Sequence, residues 1–209
     1  MPDMKKYDLI LDALQQLLEE KKIQNISVSE IAQKAGIGKG SIYYYFPSKD
    51  AILDALIKRN YEEPLKTAKK LAEQTDISPF TRMAMLFQAC RNSSIAFLKQ
   101  HDSSSYNASA QDLAFLHQKY LNHVISELKP DLTEIIRQGI ESGEIHFDYP
   151  AALAEIVLIV ISVKLDNSLL PSSPEETEDT IRGLISLLEK GTGVEPGTLS
   201  YLTMTQDRS

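Results

Sequence analysis

From Ser27 to Lys49 the chain sets out a row of hydrogen-bond donors: Ser27, Lys39, Ser41, Tyr43, Tyr44, Tyr45 and Lys49, with Gly38 and Gly40 among them. These residue types recognise rather than react. A lysine ammonium can donate to phosphate or to guanine acceptors. Serine and tyrosine hydroxyls can donate to phosphate oxygens, and tyrosine rings can touch thymine methyl groups. The glycines let backbone approach a polyanion closely. Three successive tyrosines cannot all face one core, because neighbouring helical residues point about 100° apart.

Bond-making motifs are missing. There is no nucleophile elbow, phosphate loop, His-Glu-x-x-His motif or cysteine pair. His117 and His123 lie about 240° apart around a helix and cannot chelate one ion as an i,i+4 pair would. Cys90 is the single cysteine, so no internal disulfide forms, which is compatible with a reducing cytosol. The expectation is no catalytic residue, no metal and no cofactor: not an enzyme.

The elements that must position the donors can be read from local signals. Tyr7, Ile10, Leu11, Leu14, Leu17 and Leu18 make one apolar helical stripe. Ser27 precedes Glu30 at capping-box spacing, just before Ile31 and Ala32. Gly36 suits a left-handed helix end. A short helix then covers Lys39 to about Tyr45, with Ile42 and Phe46 directed to the core. Pro47 stops it, and Ser48 caps a further helix that is expected to continue to about Glu73. Two helices joined by a glycine turn, with small residues at the start of the second, are a helix-turn-helix reader of the DNA major groove. Lys49, in the first turn after its cap, and Ser27 are expected to hold phosphates.

Net charge is −7, but it is unevenly spread: residues 1–60 balance to +1 and residues 61–209 to −8. A local basic face on an acidic protein is workable, since phosphate affinity depends on charge at the contact surface. The N-terminus has charges inside its apolar run and reads as no signal peptide. The most apolar stretch, Ile156 to Val163, is bounded by Glu155 and Lys164, well short of the about 20 residues that span a membrane. No membrane partner is expected, and the chain is placed in the cytoplasm.

The segment SVSEIAQKAGIGKGSIYYYFPSKDAIL resembles TVxxIAxxAGVSxGxxYxxFxSKxxLL, the hallmark of tetracycline-repressor (TetR-like) transcription regulators. The resemblance covers about residues 5–60. It departs at Gly38, where the family more often has Ser or Thr, a cap or phosphate contact that this chain lacks. The resemblance implies a homodimer, a palindromic double-stranded operator, repression, and release by a small molecule.

Beyond residue 60 every recognisable pattern is helical, so the fold class is all-α. Expected domains are 1–60, helix-turn-helix; 61–190, effector-binding and dimerisation; and 191–209, a flexible tail. Expected helices run from Pro79 to about Gln100, from Gln111 to Leu128, from there to Ser142 after an interruption at Pro130, from Pro150 to about Leu170, and from Ser173 or Pro174 to Lys190. The helix around Ile156–Val163 is apolar nearly all round and must be covered on every side. With the stripe of the last helix it suits either a purely intramolecular core or, as the resemblance implies for the last two long helices, a four-helix dimer interface through Ile156, Val160, Val163, Ile181, Leu184, Ile185 and Leu188. An unknown small organic effector is expected in a mostly apolar cavity, with Phe87, Cys90, Ser94, Phe97, His117, Tyr120 and Asp166 as candidates. The alternatives are an activator or effector-independent DNA-binding factor on the same fold, and an adaptor that uses the motif as a scaffold.

Overall fold

Helix α1, Met4–Glu20, turns Ile10, Leu11, Leu14, Leu17 and Leu18 into the protein, all at most 4 % exposed. Each such burial is worth about 1.5–3 kcal/mol. The computed structural model describes residues 4–60, 62–88, 110–166 and 172–202, and every regular element among them is helical. The chain divides into two compact units, Met1–Glu62 with Phe97–His123, and Glu63–Ala96 with Val124–Ser209.

In the first unit, α2 (Val28–Lys34) and α3 (Lys39–Tyr45) follow a short 3₁₀ turn at Ile23–Asn25. The Ser27 hydroxyl accepts from the Glu30 N–H and the Glu30 carboxylate accepts from the Ser27 N–H, the expected capping box. Gly36, at φ +67°, reverses the chain, and the Ile37 N–H closes the helix end on the Ala32 carbonyl. Helix α3 ends at Phe46, extended as the residue before Pro47 should be. Ser48 caps α4 (Lys49–Asn60), its hydroxyl accepting from the Ala51 N–H. Helix α1 packs on α2 and α4, and α2 on α3.

Helices α4 (Lys49–Asn60) and α5 (Glu62–Glu73) fill the helical stretch expected from Ser48 to about Glu73, and residue 61 between them lies outside the described residues. In the second unit α6 occupies 79–88 of the described residues, with the Ser78 hydroxyl accepting from the Thr81 N–H. Helix α7, Ala110–Glu141, runs through Pro130 without interruption. Leu128, Leu132, Ile135 and Ile136 are all buried around the proline, and that packing offsets the lost backbone bond. The first half of α7 belongs to one unit and the second half to the other.

Helices α8 (Pro150–Asp166) and α9 (Pro174–Thr192) pack together. Ser173 and Glu176 form a second capping box, and Gly193 ends α9 in the left-handed conformation. The expected flexible tail is instead folded as far as Leu202. A 3₁₀ turn at Ser200–Leu202 lies on α9, Val194, Leu199 and Leu202 are buried, and Glu189 accepts from the Gly197 and Leu199 N–H groups.

Candidate nucleic-acid interface

Helix α3 has only seven residues and cannot persist on its own. Its anchors are Ile42 and Phe46, both buried as expected, and the Phe46 ring meets Tyr7 of α1 at 4.9 Å between centroids. With that face fixed, the others turn outward. Lys39 and Gly40 are exposed, Tyr43 is 50 % and Tyr44 70 % exposed, and Ser41 is half-buried. Tyr45 is half-buried with its ring edge-on to Tyr44 at 5.1 Å. A Cβ built on Gly38 or Gly40 would meet nothing within 4 Å, so the fold itself does not demand glycine there. Gly38 caps α3 with backbone alone, and no side-chain bond replaces the missing hydroxyl.

Two predicted phosphate holders are already engaged. The Lys49 ammonium donates to the Ile23 carbonyl at 2.7 Å and the Ile26 carbonyl at 2.8 Å, bracing the loop that precedes α2. It is a strut of the domain rather than a free clamp, because its ammonium is taken up by these two carbonyls at either side of the 3₁₀ turn. The Ser27 hydroxyl both accepts from the Glu30 N–H and donates to the Glu30 carboxylate at 2.8 Å, so the cap consumes it.

Other cations are likewise tied. Lys21 pairs with Glu30 and Lys34 with Glu20, each at 2.6 Å, and Arg59 donates to Asp12 and Gln15. The Lys21 hydrogen bond, with those from Ser27, holds the Glu30 carboxyl at about 2. Between Lys21 and Arg59, Lys22, Lys39 and Lys58 are exposed and form no ion pair among the described residues. Helix α4 carries one more tether that the sequence did not signal. Lys119 of α7 donates to Asp50 at 2.9 Å and Asp54 at 2.8 Å, one turn apart on α4. Burial pulls the Lys119 ammonium pKa down, but these two bonds outweigh it and hold it raised.

The model for bacterial regulatory proteins of the tetR family matches residues 10–56, and that for the tetracyclin repressor-like C-terminal domain matches residues 98–182. Together they take in well over half of the chain. The protein belongs to the TetR family. It is a DNA-binding transcriptional regulator, in a family of regulators rather than enzymes. The HTH-type transcriptional regulator EthR of Mycolicibacterium smegmatis is 52 % identical over 54 residues, 24 % of this chain and 25 % of that protein. The chain thus spans about a quarter of the length of that curated relative. The fatty acid metabolism regulator protein of Bacillus subtilis is 29 % identical over 147 residues, 67 % of this chain and 71 % of its own. Among solved structures, SmeT, the repressor of the Stenotrophomonas maltophilia multidrug efflux pump SmeDEF, has the same fold with a TM-score of 0.60. It is 16 % identical, and the match covers 92 % of each chain.

For the C-terminal half of this TetR-family regulator, the candidate residues separate. Phe87 lines an apolar cavity of about 30 Å³ within the second unit, together with Met83, Leu132, Ile136, Val157 and Leu188. His117 and Tyr120 belong to the first unit, buried with their rings 6.0 Å apart, and do not line that cavity. Cys90, Ser94 and Phe97 lie outside the described residues, as does the side chain of Asp166. Of the seven interface candidates, Ile156 is 53 % exposed and Val160 and Val163 are half-buried. Ile181, Leu184 and Ile185 are instead buried within this chain's own core, because α9 turns that stripe inward, and Leu188 lines the cavity. The exposed apolar residue of α9 is Leu187 at 72 %, which sequence reasoning missed. Among the described residues no helix is long and apolar enough to cross a membrane.

Proposed function

We propose that this regulator is a repressor that binds a palindromic operator as a homodimer and is released by a small organic molecule bound in its C-terminal unit. The observation that carries the reading is the outer face of α3. Lys39, Tyr43 and Tyr44 stand exposed on a helix whose other side is locked by Ile42 and Phe46. A helix so mounted enters the major groove, with donors for phosphates and bases.

Pairing is supported by the apolar side chains left outside the second unit: Ile156, Ile159 and Leu187, with Val160 and Val163 partly covered. A second copy would cover that face and supply the second recognition helix. Repression is supported by the description of SmeT as a repressor. Release needs an effector that prefers a conformation whose two α3 helices no longer match groove spacing. The same reading implies a cytoplasmic protein.

The test combines sizing of the purified protein with mobility shift on DNA from beside its own gene. A dimer that shifts one palindromic fragment, and no longer does so with Lys39 and Tyr44 replaced together, is the expected outcome. A monomer, or binding indifferent to α3, refutes the proposal. The small cavity, about 30 Å³, favours the alternative of an effector-independent factor. That alternative predicts operator affinity unmoved by any small molecule that binds the protein.

A further inference from the structure

Helix α6 has two faces. Phe80, Met83 and Phe87 line the apolar cavity, whereas Pro79 and Arg82 line a polar cleft of about 420 Å³ within the same unit. The cleft's other walls are the turn after α5, with Asp76, and the end of α7 and the turn after it, with Gln138, Glu141 and Glu144.

Arg82 sets this cleft apart. It is only 2 % exposed, yet among the described residues no carboxylate stands within 4.0 Å of its nitrogens. Its Nη1 donates to the Ala72 carbonyl at 3.2 Å and to the Gln138 side-chain oxygen, which takes up both hydrogens of that nitrogen. Nε is buried without an acceptor, and Nη2 has none among the described residues. A buried guanidinium is ordinarily paired with an anion. Burial here pulls its pKa down, and Glu144, Glu134 and Asp76 pull it back up only from a distance.

The rim of the cleft carries the opposite charge. Asp76, Glu141 and Glu144 are exposed there, and α7 ends beside them with the negative end of its dipole. Glu141 is paired with Arg137, and Glu144 accepts from the Ser142 hydroxyl. Asp76 has no hydrogen bond or ion pair among the described residues. An anion drawn to Arg82 would meet these carboxylates, and a cation drawn to them would meet the guanidinium. A molecule bearing a carboxylate and an ammonium a few atoms apart satisfies both. We infer that the cleft binds a small zwitterion of the α-amino-acid kind, with its carboxylate taken by Arg82 and its ammonium by Asp76 and Glu144. This site is separate from the apolar cavity, and the inference does not rest on the effector-responsive reading above.

The test uses the full-length protein without DNA and three probes of matched skeleton: alanine, propionate, which lacks the ammonium, and ethylamine, which lacks the carboxylate. Binding is followed by ligand-observed NMR, with the backbone amide signals of Asp76 and Glu144 marking the place. Alanine should bind about tenfold tighter than either fragment, because it alone engages both poles, and it should shift both amides. Asp76→Asn combined with Glu144→Gln, two exposed positions, should cancel most of alanine's advantage over propionate. Arg82→Lys keeps a charge but not the planar fork, and should weaken alanine and propionate while sparing ethylamine. If that variant does not fold, the rim variant decides alone: in it propionate must bind more tightly than ethylamine. No binding of alanine, equal affinity for alanine and either fragment, or an advantage that survives the rim variant would each overturn the inference. So would a folded Arg82→Lys protein that binds alanine unchanged, or amides that do not move.

Discussion

Replacing Lys49 by Met separates two roles that the same lysine could play. As a phosphate clamp its loss would weaken DNA binding and leave the fold alone. The structure gives a different result. Lys49 holds the Ile23 and Ile26 carbonyls at 2.7 and 2.8 Å, and Met of similar length offers no donor. A hydrogen bond to a charged group is worth about 1.5–3 kcal/mol when buried, and partial exposure at this site lets water replace some of it. The two together should cost roughly 2 kcal/mol, lowering the unfolding midpoint of the first unit by about 8–16 °C. Operator affinity should fall because α2 loses its entry loop, yet the slope of log K against log salt should hardly move. Lys39→Met is the control. It is exposed and unpaired, so it should leave the midpoint unchanged and make the slope shallower by about 0.9 per protomer. Thermal unfolding and operator titration at several salt concentrations measure both quantities. A Lys49→Met protein with an unchanged midpoint and a slope that falls as in Lys39→Met would refute the strut.

Tyr44→Phe removes one exposed hydroxyl and should weaken operator binding about fivefold per half-site without changing stability, readable by mobility shift alongside thermal unfolding. Glu30 is held at about 2 against an ordinary 4.5, so the unfolded chain takes up its proton first. Its contribution is complete above about pH 4.5 and lost as pH falls towards 2; Glu30→Gln should flatten that part of an acid-unfolding curve. Leu187→Asp should turn the proposed dimer into monomers by sedimentation while the monomer keeps its helicity, because Leu187 is 72 % exposed within the protomer. Lys119→Met should cost about 1 kcal/mol in the first unit. Asp50→Asn with Asp54→Asn should reproduce that cost, whereas either Asn alone should not, since the other carboxylate keeps the ammonium.

The parts legible in advance are those whose cause is local. Ser27 and Glu30, Gly36, Pro47 and Ser48 act within a few residues of themselves, and all ended or began helices where their chemistry requires. Ile42 and Phe46 were legible because four-residue spacing places both on one face. What escaped depended on partners distant in the chain. Lys49 reads as a clamp until the carbonyls 26 and 23 residues before it come within reach. The stripe of α9 announces an apolar face but not whether its own chain or a second copy covers it. Ile181, Leu184 and Ile185 went inward while Leu187 stayed out. Pro130 failed to break α7 because burial on both sides outweighs one missing bond, a balance that residue type alone does not reveal. The C-terminal turn is polar in composition, and its hold depends on three buried apolar residues, Val194, Leu199 and Leu202, and on Glu189, none of which local sequence signals announce.

The placement of the cations bears on how such a regulator could be released. Most of the basic groups around α2–α4 are committed to stiffening the domain: Lys21, Lys34, Lys49 and Arg59 each hold a carboxylate or a carbonyl. On the proposed reading, long-range attraction to DNA would then be weak, in keeping with an acidic chain, and short hydroxyl contacts from α3 would take a larger share of the affinity. Coulomb attraction falls off gently with distance, whereas a tyrosine–phosphate hydrogen bond weakens steeply once its geometry is lost. A paired reader that relies on the second kind of contact tolerates little change in the spacing of its two α3 helices. A modest preference of an effector for a displaced arrangement would therefore suffice to empty the operator, since each half-site loses several directional bonds together. Rigidity within the domain is what makes this sensitivity useful: with α3 braced, a change in spacing cannot be absorbed by the helix-turn-helix itself.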